Sequence, residues 1–196
     1  MLFATIDVTG EAMPNGRRVH IERALFIIGD QNTGKSVQLR SMFRDLRLGE
    51  QGNIPVSPNL TNAYPLSVER WLYLRLTSPH EKNETPEEFL DKCDSEMQQN
   101  AHGAKRWNFS GAIQPNAANN MPDAVRTIEE FIRRFDPERV RAVVLHPDKE
   151  GNLIHSYDLL NLLTRLRALS RTEVIMTDAR SRTDNGLIYA DFFDFT

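Results

Sequence analysis

Ala24-Leu25-Phe26-Ile27-Ile28-Gly29-Asp30-Gln31-Asn32-Thr33-Gly34-Lys35-Ser36 is the stretch whose reading decides the fold. Its first five residues form an unbroken apolar run, the pattern of a strand buried on both faces of a parallel sheet. From Lys35 to about Leu46 the apolar positions Val37, Leu39, Met42, Phe43 and Leu46 recur at helical spacing. The stretch therefore predicts strand, loop and helix in direct succession. A glycine-bracketed turn into a helix N-terminus offers main-chain N–H groups and a favourable dipole to an anion. Lys35 adds a flexible point charge, and the Ser36 hydroxyl is a suitable ligand for magnesium.

Outward from this unit, strands alternate with helices. Residues 2–8 and 17–22 read as short strands around the turn Pro14-Asn15-Gly16, which predicts an N-terminal hairpin. Residues 48–68, punctuated by Pro55, Pro58 and Pro65, read as a long loop. Trp71 to Leu76 predicts a second core strand, and Pro86 to about Met97 a helix with Thr85 as N-cap. Residues 98–122, rich in Asn, Gln, Ala and Gly, read as a mobile segment or insertion. Pro122 to Phe135 predicts a helix, Val140 to Leu145 a strand, Tyr157 to Leu169 a helix, Glu173 to Thr177 a strand and Leu187 to Phe192 a fifth strand. Such alternation implies right-handed crossovers and an α/β three-layer sandwich with a mainly parallel central sheet.

A chain of 196 residues is long enough for a substantial core and suits one domain, 1–196. Hydrophobic content of 40% with 26% charged residues excludes wholesale disorder. A net charge of -3 gives no indication of nucleic-acid binding. No run reaches the ~20 apolar residues that span a bilayer, which argues against a membrane protein. The start, Met1-Leu2-Phe3-Ala4-Thr5-Ile6-Asp7-Val8, lacks the basic opening of a secretory leader. The single cysteine, Cys93, fits a reducing compartment. The expected location is the cytoplasm.

The octapeptide Gly29 to Ser36 matches G-x-x-x-x-G-K-[ST], and on Gly29, Gly34, Lys35 and Ser36 the chain resembles the P-loop nucleoside-triphosphatase superfamily. That resemblance implies a triphosphate and magnesium held at Gly29, Asp30, Gln31, Asn32, Thr33, Gly34, Lys35, Ser36 and Val37. Members usually place an acid at the tip of another core strand. Here Ala142-Val143-Val144-Leu145 is followed by His146-Pro147-Asp148, so Asp148 is the expected metal-side carboxylate with Ser36, and His146 an alternative contact to phosphate or water. A solvated turn is the competing reading of both. Thr177-Asp178 resembles the strand tip that senses the γ phosphate, and Arg180 and Arg182 are either charge-neutralising groups or surface arginines.

Other matches weaken on inspection. His146-Pro147-Asp148-Lys149 also fits the loop of J-domain cochaperones, yet the β-branched run before it predicts a strand and not a basic helix. Asp148-Lys149-Glu150-Gly151 fits D-x-x-G, but no N-K-x-D follows, so ATP is favoured over GTP. His80-Glu81 and His102 lack metal-ligand spacing. Arg40, Arg44 and Arg47 read as a solvated helix face paired with Asp45 or Glu50. The leading expectation is an ATP-dependent switch with slow or partner-stimulated hydrolysis, acting on a protein partner or as a homo-oligomer. A small-molecule kinase and a non-hydrolysing assembly subunit are the alternatives.

Overall fold

The computed structural model describes residues 19–48, 54, 63–100 and 104–193. Six strands form one sheet: β1 (Ile21–Ile28), β2 (Ala63–Pro65), β3 (Arg70–Arg75), β4 (Arg106–Ile113), β5 (Arg139–Leu145) and β6 (Thr172–Thr177). Their order is β2-β3-β4-β1-β5-β6. All neighbours are parallel except β2, which pairs antiparallel with β3 at one edge. Five α-helices accompany them: α1 (Lys35–Ser41), α2 (Pro86–Gln99), α3 (Ala124–Phe135), α4 (Ser156–Arg167) and α5 (Arg182–Ala190).

β1 lies between β4 and β5, which is why its apolar run shows no alternation. Ala24, Phe26 and Ile28 face a core shared with α2, α3 and α4, whereas Leu25 and Ile27 face a second core shared with α1 and α5. The two cores on opposite faces are compatible with a three-layer sandwich. In the first, Phe131 of α3 packs against Phe109 at 4.6 Å between ring centres and edge-on against Phe26 at 5.1 Å. Cys93 of α2 is buried in the same layer, and burial pushes its thiol up to about 12. α2 begins as its sequence predicts: the Thr85 hydroxyl accepts from the Glu88 amide at 3.2 Å, and the Glu88 carboxylate accepts from the Thr85 amide at 2.8 Å.

Three expectations need correction. Residues 98–122 are not an insertion, because 106–113 form β4, the strand between β3 and β1. Asn108, Ser110 and Gly111 disguise it: they break the apolar run, yet all three are buried, and Asn108 and Ser110 have no side-chain hydrogen-bond partner. Leu187 to Phe192 is not a strand, because α5 runs through Ala190 and presents Tyr189 and Ala190 to the second core. A short apolar run fits either period, and here packing on α1 decides the helix. Gly186 permits that packing, since a Cβ there would lie 2.1 Å from the Ser41 carbonyl oxygen. The first helix ends earlier than its periodicity suggests, giving way after Ser41 to a 3₁₀ turn, Met42–Arg44.

The predicted hairpin falls mostly outside the described residues, although Ile21 and Glu22 belong to the start of β1. The predicted loop at 48–68 also lies largely outside them, and its described end supplies β2.

Candidate functional site

The parallel strands end on a common rim, and the chain leaves the middle of it at Gly29. The Gly29 amide donates to Ile113 O at 3.3 Å, tying the start of the loop to the tip of β4. A Cβ on Gly29 would lie 2.5 Å from Thr33 Oγ1, so the loop closes tightly over this residue. Thr33 donates to Asp30 O from its hydroxyl at 2.8 Å and from its amide at 3.4 Å. Asn32 and Gly34 take positive φ, 64° and 98°, conformations that Asn tolerates and Gly adopts without strain. The loop then enters α1 at Lys35. The first-turn amides of a helix have no partner inside it, which leaves those of Lys35, Ser36 and Val37 for a ligand. At seven residues α1 is short, so amides and the Lys35 charge matter more than its dipole.

Lys35 bends back across the loop. Its ammonium donates to Asp30 O at 2.6 Å and lies 3.5 Å from Glu81 Oε1, with the lysine side chain only 4% exposed. Burial pulls its pKa below the ordinary lysine value, and the Glu81 carboxylate partly opposes that shift. Gln38, one turn further along α1, is buried in a polar network. It donates to Ala179 O at 2.7 Å and accepts from Asn185 Nδ2 at 3.0 Å and from the Tyr189 hydroxyl at 3.3 Å. The helix that follows the loop is thereby fastened to the segment after β6.

The loop after β5 rests on the Gly29–Ser36 loop. Lys149 N donates to Thr33 O at 3.4 Å, and the Lys149 side chain would meet a Cβ on Gly34 at 3.4 Å. Asp148 is close by, but its carboxylate accepts from the amides of Glu150 and Asn152, each at 2.8 Å, and from Asn152 Nδ2 at 2.9 Å. The Asn152 side chain is the main cause of its lowered pKa. His146 accepts from the Ile154 amide at 3.3 Å through Nδ1 and so braces the same loop. Both residues shape the rim, and the His-Pro-Asp-Lys sequence follows a strand, as expected.

Beyond β6, Asp178 and Arg180 pair with each other: Arg180 reaches both carboxylate oxygens, at 2.6–3.1 Å, and holds the Asp178 pKa at about 2. Thr177, expected beside the γ phosphate, instead pairs its hydroxyl with that of Tyr189 at 2.6 Å in the buried network. Arg182 opens α5, and its side chain lies outside those described. Arg47 pairs with Asp45, as anticipated, and also with Asp191 at 2.6 Å.

Two features escaped sequence reasoning. Glu81, set aside with His80 for want of ligand spacing, approaches Lys35 from the 3₁₀ turn Pro79–Lys82. That turn is clamped: His80 is fully buried, its Nε2 2.8 Å from Pro122 O, and Asn119 donates to His80 O at 2.6 Å. The second is a cavity of about 480 Å³ against Gly29, Asp30 and Thr33, walled by Asn116, Asn161 and Arg165. No short-range motif marks either, because their residues meet only through the order of strands.

Fold and site together define an α/β protein with a six-stranded, mostly parallel sheet and a glycine-bracketed loop at its central strand tip. No family model matches the chain, and no curated protein or solved structure does. Among the described residues no helix is long and apolar enough to cross a membrane, and no group of three or more His, Cys, Asp or Glu side chains is placed to hold a metal.

Proposed function

We propose that the chain binds ATP with magnesium at Gly29 to Ser36 and hydrolyses it slowly or under stimulation by a partner, serving as a nucleotide switch. The observation that carries this is Lys35: an almost fully buried ammonium folded over a loop at the carboxyl end of the central strand. Burying a charge is costly, and an anion that repays the cost is the simplest reason to keep one there. In open parallel sheets the crevice outside the strand tips, where crossovers diverge, is the usual place for a ligand. β1, flanked by β4 and β5, stands at such a point.

In this reading Lys35 neutralises the β and γ phosphates while the loop amides cradle them. Magnesium needs only one or two protein oxygens beside phosphate and water, so the lack of a three-residue cluster among the described residues is no obstacle. The Ser36 hydroxyl suits one of these, with Asp148 or Glu81 on either side of the loop. Magnesium, when bound, neutralises charge that develops on the phosphates. Asp148 orients its loop more readily than a ligand, because its oxygens already accept three bonds. Arg180 reaches a phosphate only by leaving Asp178.

The Gln38 network favours a switch, since a shift of α1 on nucleotide binding would be passed to Asp178 and Ala179. The cavity beside Gly29 favours a second reading, a small-molecule kinase, because its volume suits a metabolite. MgATP at a hundredfold excess over Kd should stabilise the fold by about 2.7 kcal/mol, visible as a raised Tm. Lys35→Ala should abolish that rise. Equal Tm with and without MgATP for the wild type removes the proposal. Where binding is found, labelled γ phosphate distinguishes the readings: release to water marks an ATPase, transfer to an added metabolite a kinase, and neither marks a non-hydrolysing subunit.

A further inference from the structure

Lys35 and Glu81 are brought together from the loop after β1 and the turn after β3, two strands that flank β4 on the same rim. The Asp30 carbonyl gives the ammonium a hydrogen bond but no charge. Glu81 gives the larger opposing charge, and the Asp30 carboxylate a smaller one. Its side chain is 29% exposed, against 4% for Lys35, so the carboxylate stands at the open side of a buried cation. The backbone that carries it is fixed by the His80 and Asn119 contacts and cannot drift far.

A triphosphate in the loop brings several negative charges to the same ammonium. Two anions contending for one cation repel each other, and the repulsion is strong where water is sparse. A nucleotide without metal must overcome Glu81. One that arrives with a divalent cation carries its own compensation, and the carboxylate then faces a site with a positive ion in it. We propose that Glu81 is the counter-anion that makes this loop select the metal-complexed triphosphate over the free nucleotide, taking the part that the strand-tip sequence assigns to Asp148. The inference rests on the reading of Gly29 to Ser36 as a nucleotide loop.

The test is calorimetric titration of ATP into wild type, Glu81→Gln, Glu81→Asp and Lys35→Ala, in excess magnesium and in EDTA. Wild type should bind at least tenfold more tightly with magnesium. In Glu81→Gln the affinity in EDTA should rise at least fivefold while that in magnesium stays level or falls, so the two converge. Glu81→Asp keeps the charge and should keep most of the metal dependence. Equal metal dependence in wild type and Glu81→Gln overturns the inference, as does an equal gain in both buffers, which would make Glu81 a mere competitor. A wild type that binds no better than Lys35→Ala in either buffer overturns the nucleotide reading itself. The unfolding temperature of each variant without ligand shows that it is folded.

Discussion

Lys35 shows how a buried charge burdens the fold that carries it. Its pKa is depressed by burial, so between that lowered value and the ordinary lysine value the unfolded chain holds a proton that the folded chain has lost. Stability from this group therefore rises with pH through that window and is lowest below it, where the buried site must keep its charge. Lys35→Met fills similar volume without the charge and leaves Glu81 partly in water. Without nucleotide, this variant should be between equal to wild type and about 1 kcal/mol more stable at neutral pH, with a flatter rise toward alkaline pH. Urea unfolding at several pH values measures both, and a loss above about 1 kcal/mol would show that Lys35 supports the structure in its own right. Gly29, Gly34 and Lys35 were legible because a tight contact, a positive φ and a charge each demand one residue type. Glu81 was not, since its partner stands 46 positions away and only the fold brings them together.

Elements were legible where one signal dominated. β1, β3, β5 and β6 are apolar runs, and α2, α3 and α4 show helical spacing, with Thr85 as a cap for α2. β4 and α5 were missed for opposite reasons. In β4, buried polar side chains imitate a loop; in α5, a run of large apolar residues imitates a strand. What fixes α5 is a contact that no local pattern reveals, Gly186 against the backbone of α1. Carbonyl oxygen 2.1 Å from a new Cβ cannot rotate away as a flexible side chain can, so the helices must separate. Gly186→Ala should cost about 3 kcal/mol, despite alanine's better helix propensity. The same variant should weaken MgATP binding, because Gln38 and Asn185 lose their register. Denaturant midpoints check the first effect and titration the second; a neutral or stabilising Gly186→Ala would mean that α1 and α5 are loosely packed.

At the scale of the molecule, strand order places the chemistry. The tips of β3, β4, β1, β5 and β6 follow one another along a single rim, and the turns they feed bring in Glu81, Asn116, Asp30, Asp148 and Asp178 in that sequence. Composition and periodicity predict a mainly parallel sheet but not which strands are neighbours, because pairing depends on crossovers that pass behind the sheet. With β4 hidden in the sequence, the neighbours of β1 could not be read, nor which tips flank the loop. The six-stranded sheet has its two cores on opposite faces, so β1 and the loop at its tip rest on both.

That shared burial gives the protein a built-in chemical clock. Cys93 is the chain's one thiol, and with its pKa pushed to about 12 it yields almost no thiolate at pH 8 while the layer above it stays shut. A disulfide reagent can reach it only through openings, so the speed of modification reads how often they occur. If Cys93 is uncovered by opening of the whole molecule, MgATP at a hundredfold excess over Kd should slow modification about a hundredfold. A rate unmoved by nucleotide would assign the opening to α2 alone.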